Sequence, residues 1–101
     1  MSANSIYNYE TVAAGQTAQV LGVTGGTGDY LRRLVIVPAT TSPGNVLLLD
    51  GATSITVFTG GASSVTELRP IEIDMDMVSV NGAWKVTTGS NVSVIAVGDF
   101  L

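Results

Sequence analysis

Cysteine and histidine are both missing from this 101-residue chain. Without cysteine there is no disulfide, and no thiolate to serve as nucleophile or metal ligand. Without histidine the commonest general base, metal ligand and pH switch near neutrality are gone. Charge is scarce as well: 12% of residues are charged, against about 25% in an ordinary soluble domain. The four cations, Arg32, Arg33, Arg69 and Lys85, are scattered, and the net charge is −4. That balance argues against a nucleic-acid partner, which needs a clustered basic surface. Long hydrophobic runs are also lacking, with none near the roughly 20 residues a membrane helix requires. The N-terminus has neither the basic start nor the apolar block of a signal peptide. No membrane contact and no secretory leader are expected.

What remains is apolar and β-prone. Hydrophobic residues make up 46% of the chain and the mean hydropathy is +0.43. Turn signals recur at short intervals: Gly15, Thr24 to Asp29, Ser42-Pro43-Gly44, Asp50-Gly51, Gly60-Gly61, Asn81-Gly82 and Gly89-Ser90-Asn91. Runs rich in Val, Ile, Leu and Thr lie between them. This rhythm predicts an all-β chain, an antiparallel β-sandwich or compact barrel of seven to eight short strands. Strands are expected near 17–23, 30–38, 45–50, 54–59, 69–77, 83–88 and 92–98, with a shorter candidate at 6–12. Residues 1–16 are less patterned and read as an extended N-terminal arm, leaving 17–101 as one domain. Asp50-Gly51 and Asn81-Gly82 each predict a tight hairpin, because these residues tolerate positive φ. Gly89-Ser90-Asn91 predicts a third.

Alternation sets the expected faces. Ile71, Ile73, Met75 and Met77 share one face of their strand, and Glu72, Asp74 and Asp76 share the other. Leu34 to Val37, Val46 to Leu49 and Val94 to Val97 are instead apolar on both faces. A two-layer sandwich buries one face of each sheet, so the second face calls for cover by a partner or another copy; the alternative is a closed, compact barrel with apolar residues scattered outside. Scarce charge points the same way, since isolated domains lean on surface charge for solubility.

Each motif with a chemical suggestion also has a structural reading. Val23-Thr24-Gly25-Gly26-Thr27-Gly28 looks like the phosphate-binding turn of extended short-chain dehydrogenases. The third glycine of that fingerprint falls on Leu31, however, and the residues after it read as a strand, so a glycine-rich loop at the sandwich edge is expected instead. The stripe Glu72, Asp74 and Asp76 leaves three readings open: a calcium site, an electrostatic contact to a neighbour, or solvated acid. Against calcium, carboxylates two residues apart on a strand are spaced by about 7 Å. Asp29, Asp50 and Asp99 stand in or beside turns, where aspartate caps backbone groups. Trp84, the only tryptophan, is either a core anchor or an exposed anchor for a partner or a sugar. Tyr7 and Tyr9 alternate with polar residues and could pin the arm to this domain or to a neighbour. No catalytic residue, metal ligand or cofactor is expected: Lys85 is the only lysine, and a serine nucleophile lacks an activating base. Candidate partner contacts are Tyr7, Tyr9, Asp29, Tyr30, Glu72, Asp74, Asp76 and Trp84.

Three stretches carry a resemblance: Ala14-Gly15-Gln16-Thr17-Ala18, Leu34-Val35-Ile36-Val37-Pro38-Ala39-Thr40-Thr41-Ser42-Pro43-Gly44, and Gly82-Ala83-Trp84-Lys85-Val86-Thr87-Thr88-Gly89. Asn91-Val92-Ser93-Val94-Ile95-Ala96-Val97 continues the last. From about Glu10 to Phe100 the chain resembles small structural proteins encoded by tailed bacteriophages. The resemblance implies a virion component with a β-sandwich fold, such as a capsid decoration (cement) protein or a head-fibre base. It supplies no functional residues. The expectation is a structural protein at the phage head surface, a homo-oligomer that binds the major capsid protein or another virion protein. Two alternatives are a carbohydrate- or receptor-binding module, with Trp84 and Tyr30 as stacking platforms, and a tail-tube or baseplate component.

Overall fold

The computed structural model describes residues 7–101, and these form eight strands with no helix among them. In chain order they are β1 (Asn8–Val12), β2 (Gln19–Val20), β3 (Tyr30–Pro38), β4 (Val46–Asp50), β5 (Thr53–Phe58), β6 (Ile71–Val78), β7 (Trp84–Thr88) and β8 (Val92–Asp99). They build two four-stranded antiparallel sheets, β1-β8-β3-β6 and β2-β7-β4-β5. The all-β sandwich expected from turn spacing is what forms. The candidate strand at 6–12 is present as β1, an edge strand paired with β8, so part of the expected arm belongs to the domain. Residues 1–6 of that arm lie outside the described residues. The strand expected over 17–23 shrinks to two residues, bracketed by positive φ at Ala18 and Gly22.

Pairing follows one rule. The first strand pairs with the last, the second with the seventh, the third with the sixth and the fourth with the fifth. That is a single long antiparallel ribbon, closed at the β4–β5 turn and rolled so that β3 also meets β8 and β4 meets β7. The result is a jelly roll.

Rolling the ribbon overturns two of the three expected hairpins. Only β4–β5 is one: Asp50 faces Thr53 across the two-residue loop Gly51-Ala52. Gly51 alone of the pair has positive φ, 61°, the pattern of a type II′ turn. Asn81-Gly82 instead carries the chain from β6 in one sheet to β7 in the other. The cause is long-range. The buried Asp50 carboxylate accepts the backbone N–H of Val80 (3.1 Å) and of Asn81 (3.0 Å), holding the crossing loop over the end of β4. Gly89-Ser90-Asn91 likewise crosses between sheets, from β7 to β8. There Gly44 N–H donates to the Ser90 carbonyl, and Gly89 N–H to the Asn45 carbonyl.

The core lies between the sheets. Leu31, Leu34 and Ile36 of β3 and Val92, Val94 and Ala96 of β8 meet Val46, Leu48, Trp84 and Val86 of the facing sheet. Strands apolar on both faces turn out to be the inner ones: β3 and β8 in one sheet, β4 in the other. Their second faces are half-buried by neighbours in the same sheet.

Candidate interaction face

The outer surface of the β1-β8-β3-β6 sheet gathers most of the residues singled out from sequence. Register lays them in rows. Tyr9, Val97, Arg33 and Asp74 form one row across the four strands, and Thr11, Ile95, Val35 and Glu72 the next. Tyr30 lies opposite Val78 on one side and Asp99 on the other. The Tyr7 ring packs on Tyr30 with centroids 5.5 Å apart. The centre is therefore a strip of half-buried aliphatic side chains, Val35, Val37, Ile95 and Val97. Tyr9 stands on β1 at one border, Tyr30 with Tyr7 packed on it lies at one end of β3, and the acid stripe lies at the β6 side. Tyr9 is 72% exposed.

A double irregularity in the sheet places the charges. Register between β3 and β6, and between β3 and β8, shifts between Leu31 and Arg33. At that level Asp76 has φ of 50°, a left-handed backbone that is uncommon for a residue other than glycine. The shift lets consecutive Arg32 and Arg33 both point outward, against the strand period. Asp76 then takes two donors, the Tyr30 hydroxyl at 2.6 Å and Arg32 Nη1 at 2.7 Å. The hydrogen bond from Tyr30 and the pair with Arg32 hold the Asp76 carboxyl below the usual carboxylate range, with partial desolvation opposing. The same hydrogen bond, reinforced by desolvation and the Asp76 charge, raises the Tyr30 phenol. Arg33 reaches toward Glu72 at 3.8 Å, which makes a looser pair.

Other expected contacts lie elsewhere. Trp84 is 2% exposed and its Nε1–H donates to the Asp29 carbonyl at 2.8 Å, as a buried indole requires. It is a core anchor and presents no stacking surface. Asp29 is 4% exposed, and its Oδ2 accepts the N–H of Gly26 and of Leu101. Neither is free to meet a partner. The glycine-rich stretch is a pinned loop. Val23 and Thr24 donate to the Leu101 carbonyl, and Gly28 N–H donates to Ser79. No strand–turn–helix unit stands there to cradle a dinucleotide. Among the described residues no cavity opens, and no three carboxylates converge as a metal ion would require. Asp76 and Glu72 of the stripe are engaged by arginines.

Sequence reasoning did not assign Arg32 and Arg33 to this face, because a period of two sends consecutive residues to opposite sides. Two adjacent arginines at the start of an otherwise apolar strand were the available sign of an irregularity. Comparison of the chain with protein-family models, curated proteins and solved structures finds no match.

Proposed function

We propose that this chain is a structural virion protein at the phage head surface, where it decorates and stabilises the shell through protein–protein contacts. The observation that carries the reading is the outer face of the β1-β8-β3-β6 sheet. It is apolar at its centre, and bordered by Tyr9 on one side and by carboxylates paired with arginines on the other. Such a face suits a flat protein surface: aliphatic centre, aromatic anchors, charged rim. Mass action supplies the stabilisation, because a protein that binds the assembled shell and not its free subunits favours assembly. The bacteriophage resemblance supplies the setting.

Jelly rolls serve viral capsid and lectin domains alike, so topology supports a virion role and a sugar-binding role equally. The carbohydrate reading loses its main platform with Trp84 inside the core. Co-sedimentation with purified phage heads tests the proposal. The native protein should pellet with heads in a saturable ratio. Val35→Glu, which puts a charge in the apolar strip, should bind at least tenfold more weakly while melting normally. Failure of native protein to pellet, or equal binding by Val35→Glu, would overturn it.

A further inference from the structure

The two open sides of the sandwich are built differently. On the β1/β2 side a polar clasp ties the sheets together. Glu10 Oε1 accepts the Gly22 N–H at 2.7 Å, and Oε2 accepts Gln19 Nε2–H at 2.8 Å. On the β5/β6 side, among the described residues, no hydrogen bond joins the two strands, and β5 pairs only with β4. The inward residues there stay half-open: Ile73 and Met75 of β6, and Ile55 of β5 at 39% exposure.

The four sheet edges are also unequal. An unpaired edge is a template for another strand, and proteins guard it with charge, proline, bulges or brevity. β6 has Pro70 before it, three carboxylates and the left-handed Asp76. β1 carries the inward Glu10, and β2 is two residues long. β5 is Thr-Ser-Ile-Thr-Val-Phe, with no charge, proline or glycine, and its first four residues are exposed.

We infer that β5 is a self-association edge, pairing antiparallel with β5 of a second copy about a two-fold axis at Ile55. Register supports this occupant. The hairpin closes at Asp50 opposite Thr53, so Thr53 and Ile55 direct their backbone groups to β4. Ser54 and Thr56, one on each side of Ile55, therefore direct theirs to the free edge. A two-fold axis at Ile55 sets Ser54 against the other copy's Thr56 and the reverse, satisfying both residues of both copies. Ile55 meets its own copy as a non-hydrogen-bonded pair on the inner face and closes the apolar seam. No like charges face each other, whereas β6 paired with itself would oppose its carboxylates. The two four-stranded sheets become one of eight, through a surface separate from the proposed shell-binding face. A symmetric two-fold contact of this kind is the commonest closed assembly.

Absence of cysteine makes the test clean. Opposed non-hydrogen-bonded residues bring their Cβ atoms within about 4.5–5.5 Å, near disulfide range. Ile55→Cys should oxidise to a covalent dimer at least tenfold faster than Ser64→Cys, a control in the exposed β5–β6 loop. Sedimentation of the native protein should show a dimer across the micromolar range. Ile55→Lys, which opposes two cations, should weaken it at least tenfold with an unchanged far-UV spectrum. A native monomer throughout that range, or cross-linking of Ile55→Cys no faster than the control, would overturn the inference.

Discussion

Replacing Asp50 tests whether the loop after β6 is a sheet crossing held by one carboxylate. Asp50 is 7% exposed and lies across from Trp84 on the neighbouring strand. Its Oδ1 accepts both the Val80 and the Asn81 N–H, and Oδ2 makes a second, 3.2 Å contact with Val80. Asp50→Ala strands two amide donors. A hydrogen bond to a charged group contributes about 1.5–3 kcal/mol, and an unmet buried donor costs about 1–3 kcal/mol. Val80 and Asn81 are exposed residues, so water can reach their amides in the variant, and the low end of each range applies. The expected loss is about 2–3 kcal/mol in total. At about 4–8 °C per kcal/mol for a domain of this size, Tm should fall by roughly 10–20 °C. Asp50→Asn keeps Oδ1 as one acceptor for both amides and loses the charge and the longer Oδ2 contact with Val80, so about 1 kcal/mol is expected. Urea unfolding followed by Trp84 emission measures both variants, since this sole tryptophan is buried beside the site. Asp50→Ala within about 0.5 kcal/mol of the native protein would refute the reasoning. So would equal losses for Ala and Asn.

Other consequences can be checked independently. Trp84→Phe removes the donor to the Asp29 carbonyl and leaves a void in the core, and should cost about 2–3 kcal/mol by calorimetry or circular dichroism melts. Gly60 packs so closely on the carbonyls of Pro43 and Gly44 that a Cβ would collide with backbone; Gly60→Ala should lower the urea midpoint, whereas Gly28→Ala has open space and carries only the strain of its positive φ. Asp76 is held below the ordinary carboxylate range, so its link to Tyr30 and Arg32 should be intact above that range and be lost as pH falls through the folded-state value. Carboxyl-carbon NMR should show Asp76 titrating below the ordinary aspartate range, and Tyr30→Phe should move it upward; an unmoved midpoint would contradict the assignment.

Strands were legible in the sequence because alternation and turn residues are local properties. β6 shows this most plainly, with Ile71 to Met77 inward and Glu72 to Asp76 outward as the period of two requires. Connections were not legible. Asn81-Gly82 marks a reversal but does not say which sheet the next strand joins; that depends on Asp50, some thirty positions away. Asp29 read as a turn residue at the surface, yet the C-terminal Leu101 returns to bond it and shuts it in. Strands apolar on both faces did carry information: β3, β4 and β8 are inner strands of their sheets. Trp84 in phase with Val86 correctly marked an inward side. Tyr7, Tyr9, Tyr30 and the acid stripe could be chosen one by one from sequence. Their meeting on one face is a product of β1 and β6 being the two edges of the same sheet, which only the rolled topology decides.

The most direct test of the proposed assembly role is a cryo-electron microscopy map of phage particles assembled in the presence of this chain. The expected density is a jelly roll in regular array on the head shell, with Val35, Ile95 and Tyr9 turned toward a shell subunit. Absence of the chain from the particle, or its attachment with the outer face of the β1-β8-β3-β6 sheet open to solvent, would contradict the proposal.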